Sequence, residues 1–372
     1  MTRNLTSLEN FRRMIEHCDP QWMPLDLPCT PPVHDRLVAK VGQDLTAAFG
    51  LDFRGCGSGT RGNPAAWREA FRGIGNPVAD DAEIDPFGVT HIKPPAESVG
   101  EATHFRTMLH PLEAITDVAQ LPKLPWPTVI TPAQCDEIRQ QADRTHAEGR
   151  VLQGGCECTQ FECAWYVRGM DNLFMDLAEG NGIADWLLDY FTERSIHVVR
   201  AYCENGVDVI GLGDDVGTQR GMMMSVPTWR EHLKPRLKRV IDAIRAAQAD
   251  RHVYVRYHSD GDIRPILPDL IELGIDILNP VQPECMPVDE VIPQYQDQVA
   301  FWGMVGTQTV MPFGSPDDVR RIVAECGRLA AAGAAVIVAP THVLEPDVPD
   351  ANILALVEAV HAARLDGAAT VK

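Results

Sequence analysis

Four residues of metal-binding type stand at or just beyond the ends of apolar runs in the second half of the chain. His258 and Asp260 follow the run 253–257, Cys285 lies just past the run 275–281, and His342 closes the run 333–342. Two imidazoles, a thiolate and a carboxylate form a donor set that suits Zn²⁺. No local C-x-x-C pair of the kind found in structural zinc sites is present, so the fold itself has to assemble these donors. The bland alternative for each histidine is a hydrogen-bonded structural role at a strand end.

Candidate acids come next. Asp214 and Asp215 end the run 206–213. Adjacent carboxylates at a strand end can hold a cation, or one of them can carry a raised pKa for proton transfer. Strand geometry lets only one of the two face the site, which leaves the other to cap the next helix. Glu157 and Glu162 flank the turn after the run 151–155. Either is a candidate ligand or substrate acceptor, the alternative for Glu162, and the favoured one, being a cap or ion-pair partner on its own helix. Trp165, Gln219, Gln282 and Gln308 are candidate substrate-binding groups, the glutamines being uncharged and able to orient a neutral polar substrate. Met222, Met223 and Met224 can line an apolar pocket, although methionine more often fills core.

The elements that must position these residues repeat. The stretch 252–285 reads as strand, polar tip, helix, strand, polar tip. Ile263, Ile266, Leu270, Ile271 and Leu273 recur at helical spacing, and Gly274 stops that helix. The openings Gly206-Val-Asp-Val-Ile, Gly274-Ile-Asp-Ile-Leu and Gly333-Ala-Ala-Val-Ile are three copies of one apolar strand start, with a further strand at 299–309. Helices are expected over 132–148, 160–179 and 183–205, and an N-terminal one capped by Ser7 with Leu8, Phe11, Met14 and Ile15 on one face. The run 22–27 is a short strand candidate. Seven or eight βα units without G-x-G-x-x-G predict an α/β fold, a (β/α)₈ TIM-like barrel. Its C-terminal strand ends would gather the candidate residues at one face. The chain reads as a single domain over 1–372, with 51–128 an irregular N-terminal elaboration holding one hairpin (89–93 with 104–109).

Composition narrows the function classes. Across 372 residues there are 52 acidic and 33 basic side chains, a formal net charge of −19. Such an excess argues against nucleic acid or an anionic membrane surface as partner. The ten cysteines are scattered, several within apolar runs, as free thiols in a reducing compartment would be. The N-terminus has no apolar signal core, and no run approaches the ~20 residues of a membrane span. A cytoplasmic enzyme acting on a small molecule is expected, and a homo-oligomer is compatible with this composition.

Several stretches together resemble the uroporphyrinogen decarboxylase superfamily over roughly residues 105 to 365: Gly211–Gln219, His258–Ile263, Pro268–Gln282, Met311–Val319 and Ala339–Ile353. That superfamily also holds zinc-dependent methyltransferases that act with corrinoid proteins or thiol cofactors, and the resemblance implies a TIM-like barrel. Two departures stand out. The arginine-rich N-terminal segment with which true uroporphyrinogen decarboxylases grip their substrate is replaced by Trp22-Met-Pro-Leu-Asp-Leu-Pro-Cys29. The methyltransferase branch binds zinc through His-x-Cys and a later cysteine; here His258 matches, Asp260 stands for the first cysteine, His342 falls near the second, and Cys285 can restore one sulfur. The resemblance therefore implies a methyltransferase component, moving a methyl group from a small methylated substrate to a corrinoid protein or thiol. Zinc would sit on His258, Asp260, Cys285 and His342, with Asp214 or Asp215 as proton donor or substrate anchor. The corrinoid would belong to a separate protein, since the chain has no Asp-x-His-x-x-Gly motif. The alternatives are a decarboxylase of a smaller acid and a non-catalytic protein that binds a corrinoid or tetrapyrrole partner.

Overall fold

Seven segments lie side by side in one parallel sheet of the computed structural model, which describes residues 4–57, 60–73, 82–92 and 107–365. They are β1 (Phe53–Gly57), β2 (Val151–Glu157), β3 (Val209–Gly213), β4 (Tyr254–His258), β5 (Ile277–Asn279), β6 (Ala300–Val305) and β7 (Val336–Pro340), paired in that order. Strands β3, β6 and β7 are buried along their whole length, as expected of strands covered on both faces.

The run 22–27 supplies the remaining seam. Leu25 forms a parallel bridge to Val338 of β7, and on its other side its carbonyl accepts from the Asp52 amide at 3.1 Å. The buried Asp52 carboxylate strengthens that side, accepting from the Leu25 amide at 2.9 Å and the Trp22 indole at 3.1 Å. The sheet thus curls into the expected TIM-like barrel. Below it, Phe11 of the helix Ser7–Ile15 meets Phe53 and Tyr254 edge-on, at centroid distances of 5.5 and 5.2 Å. Both partners are the first residues of their strands, so this helix plugs the end opposite the expected site. Its cap is Thr6, in a capping box with Glu9, rather than Ser7.

Helices alternate with the strands along the chain, and the long helix Ile183–Glu204 packs against Lys234–Ala247. The helix expected over 160–179 is broken at Gly169, whose φ of 84° separates Phe161–Arg168 from Met170–Glu179. The stretch read as irregular, 51–128, contains β1, so its first residues belong to the barrel. Beyond them stand the helix Pro64–Gly73 and a three-stranded antiparallel sheet of Glu83–Ile84, Thr90–Ile92 and Thr107–Leu109. The last two are the two arms of the expected hairpin; residues 93 and 104–106 of that expectation lie outside the described residues. Arg168 ties this region down. It pairs with Asp176 at 2.7 Å while donating to the Ile115 carbonyl at 2.9 Å. All ten cysteines are free, and no helix among the described residues is long and apolar enough to cross a membrane.

Candidate metal centre and cavity

Register alone brings the site together. Glu157, Gly213, His258 and Asn279 are successive Cα partners across β2, β3, β4 and β5, one level at the C-terminal strand ends. Side chains alternate along a strand, so Arg256 shares the face of His258 one level down. Glycine at β3 makes room: a Cβ at Gly211 would collide with the Glu157 carboxylate and Arg256, and one at Gly213 with the His258 backbone. Glu157 and Arg256 form an ion pair in that space, with the guanidinium 4.7 Å from the Trp302 ring centroid.

His258 is held from behind. Asn279 donates its side-chain N–H to the Trp302 carbonyl at 2.8 Å, which leaves its oxygen for His258 Nδ1 at 2.7 Å. Nδ1 must then be the protonated nitrogen in that bond, and Nε2 is turned to the cavity. Nε2 stands 3.8 Å from Asp215 Oδ1 and 3.9 Å from Asp260 Oδ1. Candidate ligand atoms of His258, Asp260 and His342 all lie within 4.8 Å of one another, and the two imidazole centroids are 6.2 Å apart. Asp215 braces this corner by accepting from the Asp260 amide at 2.7 Å. Asp260 Oδ1 is buried without a hydrogen-bond partner. Burial pushes the Asp260 carboxyl up to about 6, against the opposing pull of His258 and with the help of Asp215 and Glu284. Burial opposes charge on His258, but Asp260 and Asp215 outweigh it and raise its pKa. A buried acceptor with no donor, beside a directed Nε2 and a second imidazole, fits a divalent ion. Two histidines and one carboxylate, with a position left open, are a catalytic rather than a structural zinc pattern.

A cavity of about 540 Å³ opens over these groups. Asp26, Glu157, Glu162 and Asp215 reach it, with Tyr166 and Trp302 among its other walls. Glu162 accepts from the Tyr166 hydroxyl at 2.9 Å and from the Asp215 amide at 2.9 Å. Burial first, and then the Asp215 charge, lifts its pKa to about 7.

The other expected site residues fall elsewhere. Asp214 is buried and accepts from the Gln160 and Glu162 amides at 3.1 and 2.9 Å, so it caps the helix Phe161–Arg168 of the preceding unit, not the next one. Cys285 is outside the three-residue cluster: the turn in which its amide bonds the Gln282 carbonyl carries it away, and its Sγ donates to Gln219 at 3.0 Å. Burial and neighbouring acids push that thiol up to about 11. Gln219 pairs with Gln308 at 3.1 Å, and Gln282 accepts from the Gly261 amide at 3.0 Å, bracing the turn after His258. Trp165 packs on Tyr166 at 4.2 Å. Tyr166, Arg256 and Trp302 are cavity groups that sequence reasoning missed, and Glu162, for which a helix cap or pair was the favoured reading, lines the cavity as well. Period-2 alternation from His258 points to Arg256, and the i, i+4 spacing of Glu162 and Tyr166 points to one helix face.

A family model described as uroporphyrinogen decarboxylase (URO-D) matches residues 106–363. Among solved structures, a methyltransferase from Methanosarcina mazei is 20% identical with a TM-score of 0.63, covering 96% of this chain and 99% of that one. A B12-independent methionine synthase from Shewanella sp. W3-18-1 is 12% identical with a TM-score of 0.44, covering 92% of each chain. No curated protein matches the chain. At the first of these identities the likeness establishes the barrel and no more.

Proposed function

The chain belongs to the uroporphyrinogen decarboxylase family, and from that premise we propose that it is a metal-assisted methyltransferase, moving a methyl group from a small methylated donor to a corrinoid protein or a thiol. The observation that carries this is the cluster of His258, Asp260 and His342 with its unpartnered Asp260 Oδ1. A zinc ion held there would act as a Lewis acid, activating a thiol or polarising the group that carries the methyl. The rest falls to the chain's own side chains. Asn279 fixes the His258 tautomer, as outer-shell partners of ligating histidines do. Asp215 holds the Asp260 backbone in place, and Glu162, with its pKa of about 7, can hold or release a proton at Oε1 or Oε2 near neutral pH. The cavity suits a small donor.

The founding reaction of the family is a poor match. Four carboxyl groups reach the cavity, and the one arginine among its described lining residues is already taken by Glu157. A polycarboxylate would be repelled there, and a decarboxylase of a smaller acid meets the same field. Metal analysis tests the reading. The full chain reconstituted with zinc should hold close to one ion, and His258→Ala should lose most of it. Absence of stoichiometric metal after reconstitution would overturn the methyltransferase reading.

A further inference from the structure

The charges around the cavity do not cancel. Arg256 is the one lysine or arginine among its described lining residues, and Glu157 already neutralises it. A divalent ion on His258, Asp260 and His342 would be balanced by Asp260 and by Asp215 beside it. Asp26 is buried, and burial raises its carboxyl above the usual range against the pull of Arg256, Gln153 and the Leu27 amide, so it adds no positive charge to the balance. That leaves Glu162, whose carboxyl burial and the Asp215 charge lift to about 7, so that it adds a negative charge above that pH. It takes its hydrogen bonds from a hydroxyl and an amide, no lysine or arginine among the described residues pairs with it, and His258, whose charge does reach it, is neutral once it ligates a metal. Tyr166 stands against this carboxylate, and elsewhere the cavity walls are apolar in part, with Pro28, Pro340 and Val343. An acidic group beside aromatic and apolar surface is the environment that holds a cation bearing alkyl groups.

We propose that the cavity takes a monocationic methylated onium compound, a quaternary ammonium or a sulfonium, with its positive centre against Glu162 and Tyr166. Its role as methyl donor rests on the methyltransferase reading; the charge match does not. In the transfer, the methyl carbon forms a bond to a thiolate or to the cobalt of a reduced Co(I) corrinoid, as its bond to nitrogen or sulfur breaks. The bonding pair stays on the heteroatom, which departs as a neutral amine or thioether, and no proton has to move. A neutral product loses its attraction to Glu162, which favours release.

Choline, its neutral isostere 3,3-dimethylbutan-1-ol and the anion 3,3-dimethylbutanoate test this by calorimetric titration of the full chain, zinc-loaded and metal-free, above the Glu162 pKa of about 7. Choline should bind the zinc-loaded chain at least about tenfold more tightly than the alcohol, with the carboxylate weakest. In Glu162→Gln the preference for choline should fall to within about threefold, the alcohol's affinity staying nearly constant. The three-ligand series on the unmodified chain decides the matter even if that variant fails to fold. Equal binding of choline and the alcohol, tighter binding of the carboxylate, or no binding of choline overturns the proposal. Zinc content is measured on the same samples. Zinc binding without choline preference overturns this proposal alone, and choline preference without zinc binding overturns the metal reading alone.

Discussion

One amide decides what His258 can do. Because Asn279 spends its N–H on the Trp302 carbonyl, its oxygen must meet His258 Nδ1, and the ring presents Nε2 to Asp260 and Asp215. Replacing Asn279 by leucine removes that constraint without adding charge. Zinc affinity, measured by competition with a chelator, should fall about 10- to 100-fold, the usual effect of losing such a partner. Unchanged affinity would show that the tautomer is not set here. Residue types and strand ends made His258, Asp260 and His342 legible in the sequence, since a parallel barrel sends its strand ends to one face. Cys285 was not separable from them, because what removes it is the turn after Gln282, a matter of three residues. For Glu162 the sequence leaves a helix role and a cavity role open. A glutamate in the first turn of a helix usually serves that helix, but here Asp214 does the capping and frees Glu162 for the cavity.

Secondary-structure elements show where sequence patterns run out. Strands β3 to β7 are visible as apolar runs between helices; β3, β5, β6 and β7 are shorter than their runs, and β4 is shifted by one residue. Strand β1, Phe-Arg-Gly-Cys-Gly, was not, because two glycines and an arginine in five positions hide any alternation. What makes it a barrel strand is pairing, along its length to β2 and at its start to the run 22–27. The second of these seams leans on Asp52. Its buried carboxylate accepts from the Leu25 amide and the Trp22 indole. Asp52→Ala strands both donors and should cost about 3 kcal/mol in urea unfolding, since each buried unsatisfied donor costs ~1–3 kcal/mol. Asp242→Ala, which breaks only the exposed i, i+4 pair with Lys238, should cost less than about 0.5 kcal/mol. Equal effects of the two substitutions would mean that the Asp52 seam does not hold the barrel closed.

For the molecule as a whole, the excess of acid, a formal charge of −19, sets how stability responds to pH. Several groups bind protons more tightly folded than unfolded. The Glu162 carboxyl, lifted to about 7 by burial and Asp215, compares with about 4.3 in an unfolded chain. His146 is raised by its hydrogen bond to the buried Asp208 carboxylate, 2.8 Å away, from an unfolded value of about 6.5. A raised folded pKa contributes stability that is complete below the unfolded pKa and is lost as pH rises through the folded one. Both groups therefore act in the same direction between pH 6 and 8, and relief of net negative charge adds to them. Asp276, held low by His252 and Arg245 against its burial, has the opposite sign, but its contribution is lost only as pH falls below the usual carboxylate range. The metal-free chain should accordingly unfold at a higher urea midpoint at pH 6 than at pH 8, at constant ionic strength. His146→Ala should shrink that difference. Zinc should work against it, because His258 and Asp260 must give up their protons to bind, so loading strengthens as pH rises. The midpoint of the zinc-loaded chain should then vary less with pH or rise towards pH 8. A metal-free midpoint lower at pH 6 than at pH 8 would mean that the raised Glu162 and His146 values do not govern stability in this range.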